Sequence, residues 1–107
     1  MQLVYDREKF VALQDLLVDS IAEAIRANLI GSGITDPRLL SEITVNTLRD
    51  IAVIIDSVPT QQGFLPFLTF LDERRGNALV HNDGFSWLHE RIDEDAIDAL
   101  CGFSAES

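Results

Sequence analysis

One cysteine, Cys101, is all the chain has in 107 residues, so no intrachain disulfide can form and a secreted disulfide scaffold is excluded. No apolar run approaches the ~20 residues that span a bilayer. The opening residues, Met1 to Phe10, lack the basic flank and apolar run of a signal peptide, so the cytoplasm is the expected location. Zinc-ligand spacings such as His-x3-His are missing, as are a Gly-rich phosphate loop and a Gly-x-Ser-x-Gly setting around Ser86 or Ser104. Neither a metal nor a cofactor is expected, and hydrolase and nucleotide-binding classes lose their usual signatures.

Basic residues are also scarce: 8 against 18 acids, for a formal charge of −10. The imbalance is concentrated late in the chain. From Asp83 onward Asp83, Glu90, Asp93, Glu94, Asp95, Asp98 and Glu106 face Arg91 alone. A field of that sign repels phosphate backbones, so nucleic acid is disfavoured and a basic protein is the better partner.

What is present is ordinary globular material, 47% apolar and 24% charged, which excludes general disorder. The length gives one domain, residues 1–107, with a single core. So small a body buries a modest share of its surface, which leaves room for a homodimer.

Apolar residues recur with a period near 3.6 at Phe10, Leu13, Leu17, Ile21 and Ile25, predicting a helix from Asp6, its cap, to Ile30, with Gly31 and Gly33 ending it. Its polar side carries Asp15, Asp19 and Glu23 at successive i, i+4 positions, a negative ridge relieved partly by Arg26. Asp36-Pro37 opens a second helix running to about Ser57, with Leu40, Ile43, Leu48, Ile51, Ile54, Ile55 and Val58 in a wide band. That width predicts the centre of a bundle. Val58 to Gly63 is a loop by composition.

From Phe64 to Leu71 lies the most apolar stretch, where two structures compete. A short helix would begin near Pro66 and stop at Arg74-Arg75-Gly76. A hairpin would pair Phe67 to Asp72 with Ala78 to Asn82 around Gly76-Asn77. The helix is preferred for its stop signal and for the spacing of Phe64, Phe67 and Leu71. Helix resumes from Phe85 through Leu88, Ile92, Ala96, Leu100 and Phe103, with Ser86 as a cap and Asp93 as an optional second start. The expected fold is all-α, about four helices on one core, the alternative being α+β with a short hairpin across residues 67–82.

Titratable candidates gather late: His81, Asp83, His89, Glu90 and Cys101. His89 reads as an exposed or capping residue. Cys101, at a helix end among acids, reads as a packed thiol, because both surroundings disfavour the thiolate. The segment Arg74-Arg75-Gly76-Asn77-Ala78-Leu79-Val80-His81 resembles, over eight residues, the signature of HEPN-type ribonucleases, small helical bundles with an arginine followed a few positions on by a histidine. The resemblance implies RNA cleavage by Arg75 and His81 at a dimer interface. Aromatic residues cluster nearby, with Phe64, Phe67, Phe70, Phe85 and Trp87 available to a core or an interface; Phe67 and Trp87 are expected to be exposed.

The leading expectation is a non-enzymatic, acidic protein-binding module, such as an adaptor, immunity-like protein, antitoxin or chaperone. Asp93, Glu94, Asp95 and Asp98 would steer a basic protein, and Phe67 and Trp87 would dock it. The runner-up is the ribonuclease of Arg75 and His81, and a third reading is an acidic decoy for a nucleic-acid-binding protein.

Overall fold

The computed structural model describes residues 2–57, 67–82, 84 and 86–103. In chain order they form β1 (Leu3–Tyr5), α1 (Arg7–Gly31), α2 (Pro37–Ser57), β2 (Phe70–Asp72), a 3-10 turn (Glu73–Arg75), β3 (Ala78–His81), a second 3-10 turn (Leu88–Arg91) and α3 (Glu94–Leu100). The loop from Val58 to Gly63, the helix start at Pro66, and Phe64, Asp83, Phe85, Ser104 and Glu106 lie outside the described residues.

The two long helices arise where the sequence pattern places them. Asp6 caps α1 by accepting the Lys9 amide at 3.1 Å, and no glycine or proline interrupts the next 24 positions of this 25-residue helix before Gly31. Phe10, Gln14, Val18 and Ala22 make its buried column at four-residue spacing, one face of a 3.6-residue helix. Pro37 opens α2, whose buried column is Leu40, Thr44, Leu48, Ala52 and Asp56. The Thr44 hydroxyl inside that column donates to the Leu40 carbonyl at 2.7 Å, so it is buried with its bond made. Gly33, at φ +95°, turns the chain between the helices, and the Ile34 amide donates back to the Leu29 carbonyl at 3.0 Å. The result is an αα-hairpin with α2 also touching α3 and the second 3-10 turn. α2 is thus central to the helical part, although Val53 and Ile54 of its wide apolar band are exposed.

Between Phe67 and His81 the preferred helix gives way to the hairpin. β2 and β3 pair antiparallel with Phe70 opposite Val80 and Asp72 opposite Ala78, and β1 joins β3 in parallel with Leu3 opposite Leu79. The strand order is β1-β3-β2. A helix from Pro66 to Arg75 would have been shorter than the ~12 residues at which helices gain stability of their own. Pairing on both sides of β3 wins instead, and burial along Ala78–His81 alternates with period two. Gly76 takes the left-handed conformation that its stop signal anticipated, at φ +66°, but it closes the 3-10 turn Glu73–Arg75. The late helix is likewise divided: the 3-10 turn ends at Arg91 and Asp93 starts α3 by accepting the Ala96 amide at 3.2 Å. The fold is therefore mainly helical with a small three-stranded sheet, which is not clearly a four-helix bundle and is consistent with the α+β alternative.

The sheet packs by its inner face on the first half of α1. Ala78 and Val80 are buried there, and the Phe10 ring meets Phe70 edge-on at 5.4 Å and Trp87 at 5.9 Å. Farther along α1, Val18 and Ala22 join Leu40, Val45, Leu48, Ala52, Leu88, Ile97 and Cys101 in the main core.

Candidate functional site

A 3-10 turn has backbone N–H groups with no partner inside it, and the turn at Leu88 starts without a side-chain cap of its own. The two long helices supply the acceptors. Gln14 Oε1 of α1 accepts the Trp87 amide at 2.8 Å, and Asp56 of α2 accepts those of Leu88 at 2.8 Å and His89 at 2.9 Å. Asp56, 2% exposed, also accepts the Ser86 hydroxyl at 2.7 Å and faces His89 Nδ1. Burial pushes the Asp56 carboxyl up, but the His89 amide, the Ser86 hydroxyl, the His89 ring and the Leu88 amide outweigh it and hold the carboxyl below the usual range.

An ionised Asp56 can only accept, so the contact with Nδ1 of His89 is a hydrogen bond in the tautomer that places the ring proton there. Nε2 lies 3.9 Å from Glu90 on a half-exposed ring. This carboxylate–imidazole pair orients a histidine, but the Ser86 hydroxyl is bonded to Asp56 and not to His89, so the relay of a nucleophilic triad is not assembled. Its evident work is to fasten the turn. Arg91 finishes the fastening with paired bonds to Asp15 of 2.7 and 2.8 Å, which hold the Asp15 carboxyl low. One member of the negative ridge on α1 is therefore an anchor.

The other two members, Asp19 and Glu23, border a groove between α1 and α3. It encloses about 340 Å³ and is lined by Val18, Ala22, Ala96, Ile97 and Leu100, with Asp19, Glu23 and Asp93 around the apolar floor. Small alanines on both helices leave the space open. Arg26 lies 3.1 Å from Glu23, but no cation is among the lining residues. Glu90, Asp93, Glu94 and Asp95 continue the acidic surface beyond α3, with Arg91 tied to Asp15. By contrast, the cavity between α2 and α3 carries both signs, Arg38 and Arg49 with Glu42, Glu94 and Asp98, and is bridged by Arg49–Glu94 and Ser41–Asp98 contacts.

No protein family, characterised protein or solved structure compared with the chain matches it. What the chain does must be read from its own side chains. Among the described residues no metal-binding group of His, Cys, Asp and Glu forms, and no helix is long and apolar enough to cross a membrane.

The expected partner-binding acids thus divide. Asp93 borders the groove while capping α3, Asp95 is exposed, and Glu94 and Asp98 bond to α2 residues. Phe67 is exposed, whereas Trp87, expected to be so, is half-buried against Phe10 beneath the Arg7 guanidinium, 4.9 Å from the ring centre. Arg75 and His81 lie on different elements. Arg75 sits in the turn, 3.8 Å from Asp72, and His81 ends β3, packed edge-on against Tyr5. Three residues of strand, about 10 Å, separate His81 from the turn end of β3.

Besides Gln14 and Asp56, sequence reasoning missed residues on the outer face of the sheet. Leu3 (66% exposed), Tyr5 (60%) and Leu71 (50%) lie there, with Leu3 and Leu71 both paired to Leu79 in one cross-strand row. An outer face is ordinarily polar. The signal was the apolar run Leu3-Val4-Tyr5, too short to separate from a helix approach.

Proposed function

We propose that the chain is a non-enzymatic protein-binding module that receives a basic amphipathic segment of a partner protein in the groove between α1 and α3. One observation carries this reading: an apolar floor of Val18, Ala22, Ala96, Ile97 and Leu100 borders three carboxylates and no lining cation. A partner helix laid against two helices buries an apolar stripe and keeps its charged flanks at the rim, the helix-in-groove mode of recognition. Lysine or arginine flanks would meet Asp19, Glu23 and Asp93. The remaining negative charge acts at longer range by steering approach. Asp95 and Glu94 contribute to that field, and Asp93 does so at the groove itself.

Capture from native cell extract tests the reading. The bait is compared with a variant carrying Asp19→Asn, Glu23→Gln and Asp93→Asn, in which asparagine keeps the helix cap. The expected result is a basic protein retained by the wild type, lost by the variant and released by salt. Equal retention by both baits contradicts the groove as the docking site.

A further inference from the structure

The Gln2 carbonyl accepts the Leu79 amide at 2.7 Å, and the Asp6 amide donates to the His81 carbonyl at 3.0 Å. The even-numbered residues of this stretch therefore face β3. A parallel ladder alternates residue by residue, so the amide and carbonyl of Leu3 and of Tyr5 point away from β3, along an edge with no further strand among the described residues. Open edges are ordinarily guarded by charge. On the β2 side charge lies close by: Asp72, on the inner face, pairs with Lys9 of α1 at 2.9 Å, and Glu73 and Arg74 follow it in the 3-10 turn. The β1 edge instead presents Leu3 and Tyr5, two of the most exposed large apolar side chains among the described residues.

We propose that the β1 edge is a self-association site, at which a second copy of the chain pairs antiparallel with Val4 on the twofold axis. In that register Leu3 lies opposite Tyr5 of the second copy, and Tyr5 opposite its Leu3. Each of these residues has its amide and carbonyl turned outward, so both pairs are of the doubly hydrogen-bonded kind, four N–H···O bonds in all. The order β2-β3-β1 of each copy continues across the axis into one six-stranded sheet. The side chains add to the match. Leu71, Leu79 and Leu3 of one copy run on to Tyr5 of the other along the outer face, as the pairing registers require.

Charge selects a second copy as the occupant. The strand residues of the outer face, Leu3, Tyr5, Leu71, Leu79 and His81, include no carboxylate, in a chain of net charge −10. It is a face on which two such chains meet without opposing acids. A closed twofold contact uses the same patch on both partners, which the 3:5 register satisfies. This site is separate from the α1–α3 groove, and the two respond oppositely to salt. Screening weakens attraction of a basic segment but relieves repulsion between two acidic copies.

Sedimentation equilibrium at about 0.05 M and about 0.5 M salt, over a range of protein concentrations, tests the proposal. The wild type is expected to be a monomer–dimer mixture that shifts toward dimer at the higher salt. Leu3→Glu with Tyr5→Glu sets acids opposite acids and should weaken the dimer about tenfold or more, whereas Leu3→Lys with Tyr5→Glu sets opposite charges across the axis and should restore it. Both positions are exposed, and circular dichroism checks that the variants fold. Without any variant, amide exchange at Leu3 and Tyr5 should slow as wild-type concentration rises. A wild type that stays monomeric overturns the proposal. So do a dimer indifferent to the glutamates, a lysine–glutamate variant no better than the double glutamate, or edge amides unprotected in the dimer.

Discussion

The Asp56 carboxylate accepts the His89 backbone amide at 2.9 Å and faces the ring of the same residue, across 33 positions of sequence. One side chain at the end of α2 thereby satisfies the start of a turn that has no cap of its own. Asp56→Ala leaves the amides of Leu88 and His89 and the Ser86 hydroxyl without their acceptor in a buried place. The expected cost is about 3–5 kcal/mol, with Asp56→Asn, which keeps one acceptor oxygen, costing less. Urea unfolding followed by Trp87 fluorescence measures both, and a loss below about 1 kcal/mol for the alanine would contradict the capping role.

Asp15, Asp56 and Asp72 all have carboxyls held below the usual range. The causes are the Arg91 hydrogen bond at Asp15, the group of donors that overcomes burial at Asp56, and the Lys9 hydrogen bond at Asp72. A group whose folded value is lower contributes stability above its unfolded value, about 3.9, and loses it as pH falls through the folded one. Stability should therefore be flat in these groups above about pH 5 and decline on acidification. Asp15→Asn should make the acid limb of a plot of urea midpoint against pH shallower. An unchanged limb would show that the Arg91 pair is not linked to folding.

Cys101 is buried, and burial is the largest effect on its thiol, which is pushed up; Thr44 and Arg26 oppose the rise, and Asp98 and Glu23 add to it. A protonated, covered thiol reacts poorly. Labelling by a thiol reagent at pH 8 should follow the rate of opening of the fold and speed up sharply in denaturant. Immediate labelling of the native chain would contradict this packing.

Phe10 is fully buried where the sheet, α1 and the Trp87 segment meet, touching Phe70 and Trp87 edge-on or tilted. Phe10→Ala should cost about 3–5 kcal/mol and change the near-ultraviolet signal of Trp87. Loss of stability with an unchanged tryptophan signal would place the indole elsewhere.

The long helices were legible because each repeats its apolar period many times and starts at a residue with a physical reason to start it, Asp6 or Pro37. The hairpin of β2 and β3 was legible only as the alternative to a helix, because three or four residues do not fill a period, and β1 was hidden because its pairing joins segments far apart, Leu3 with Leu79. Gly76 illustrates the limit: its left-handed turn was readable, but a helix stop and a hairpin corner ask for the same glycine. At the groove, the acids Asp19, Glu23 and Asp93 were readable as charges. That Asp19 and Glu23 would face Asp93 over an alanine-lined floor depends on α3 docking against α1, which no local pattern specifies. The Asp56–Ser86–His89 junction was hidden for the same reason.

The most direct measurement is a titration of the chain with a labelled lysine–leucine amphipathic helix, followed by anisotropy. It compares the wild type, the groove variant Asp19→Asn, Glu23→Gln, Asp93→Asn, and a control with the same charge change elsewhere, Glu42→Gln, Asp50→Asn, Glu73→Gln. Three rim charges at about 0.2–1 kcal/mol each lead to a loss of affinity of about tenfold in the groove variant and clearly less in the control. Equal loss in the two variants would mean that the peptide senses only net charge, and the groove would not be where this protein binds.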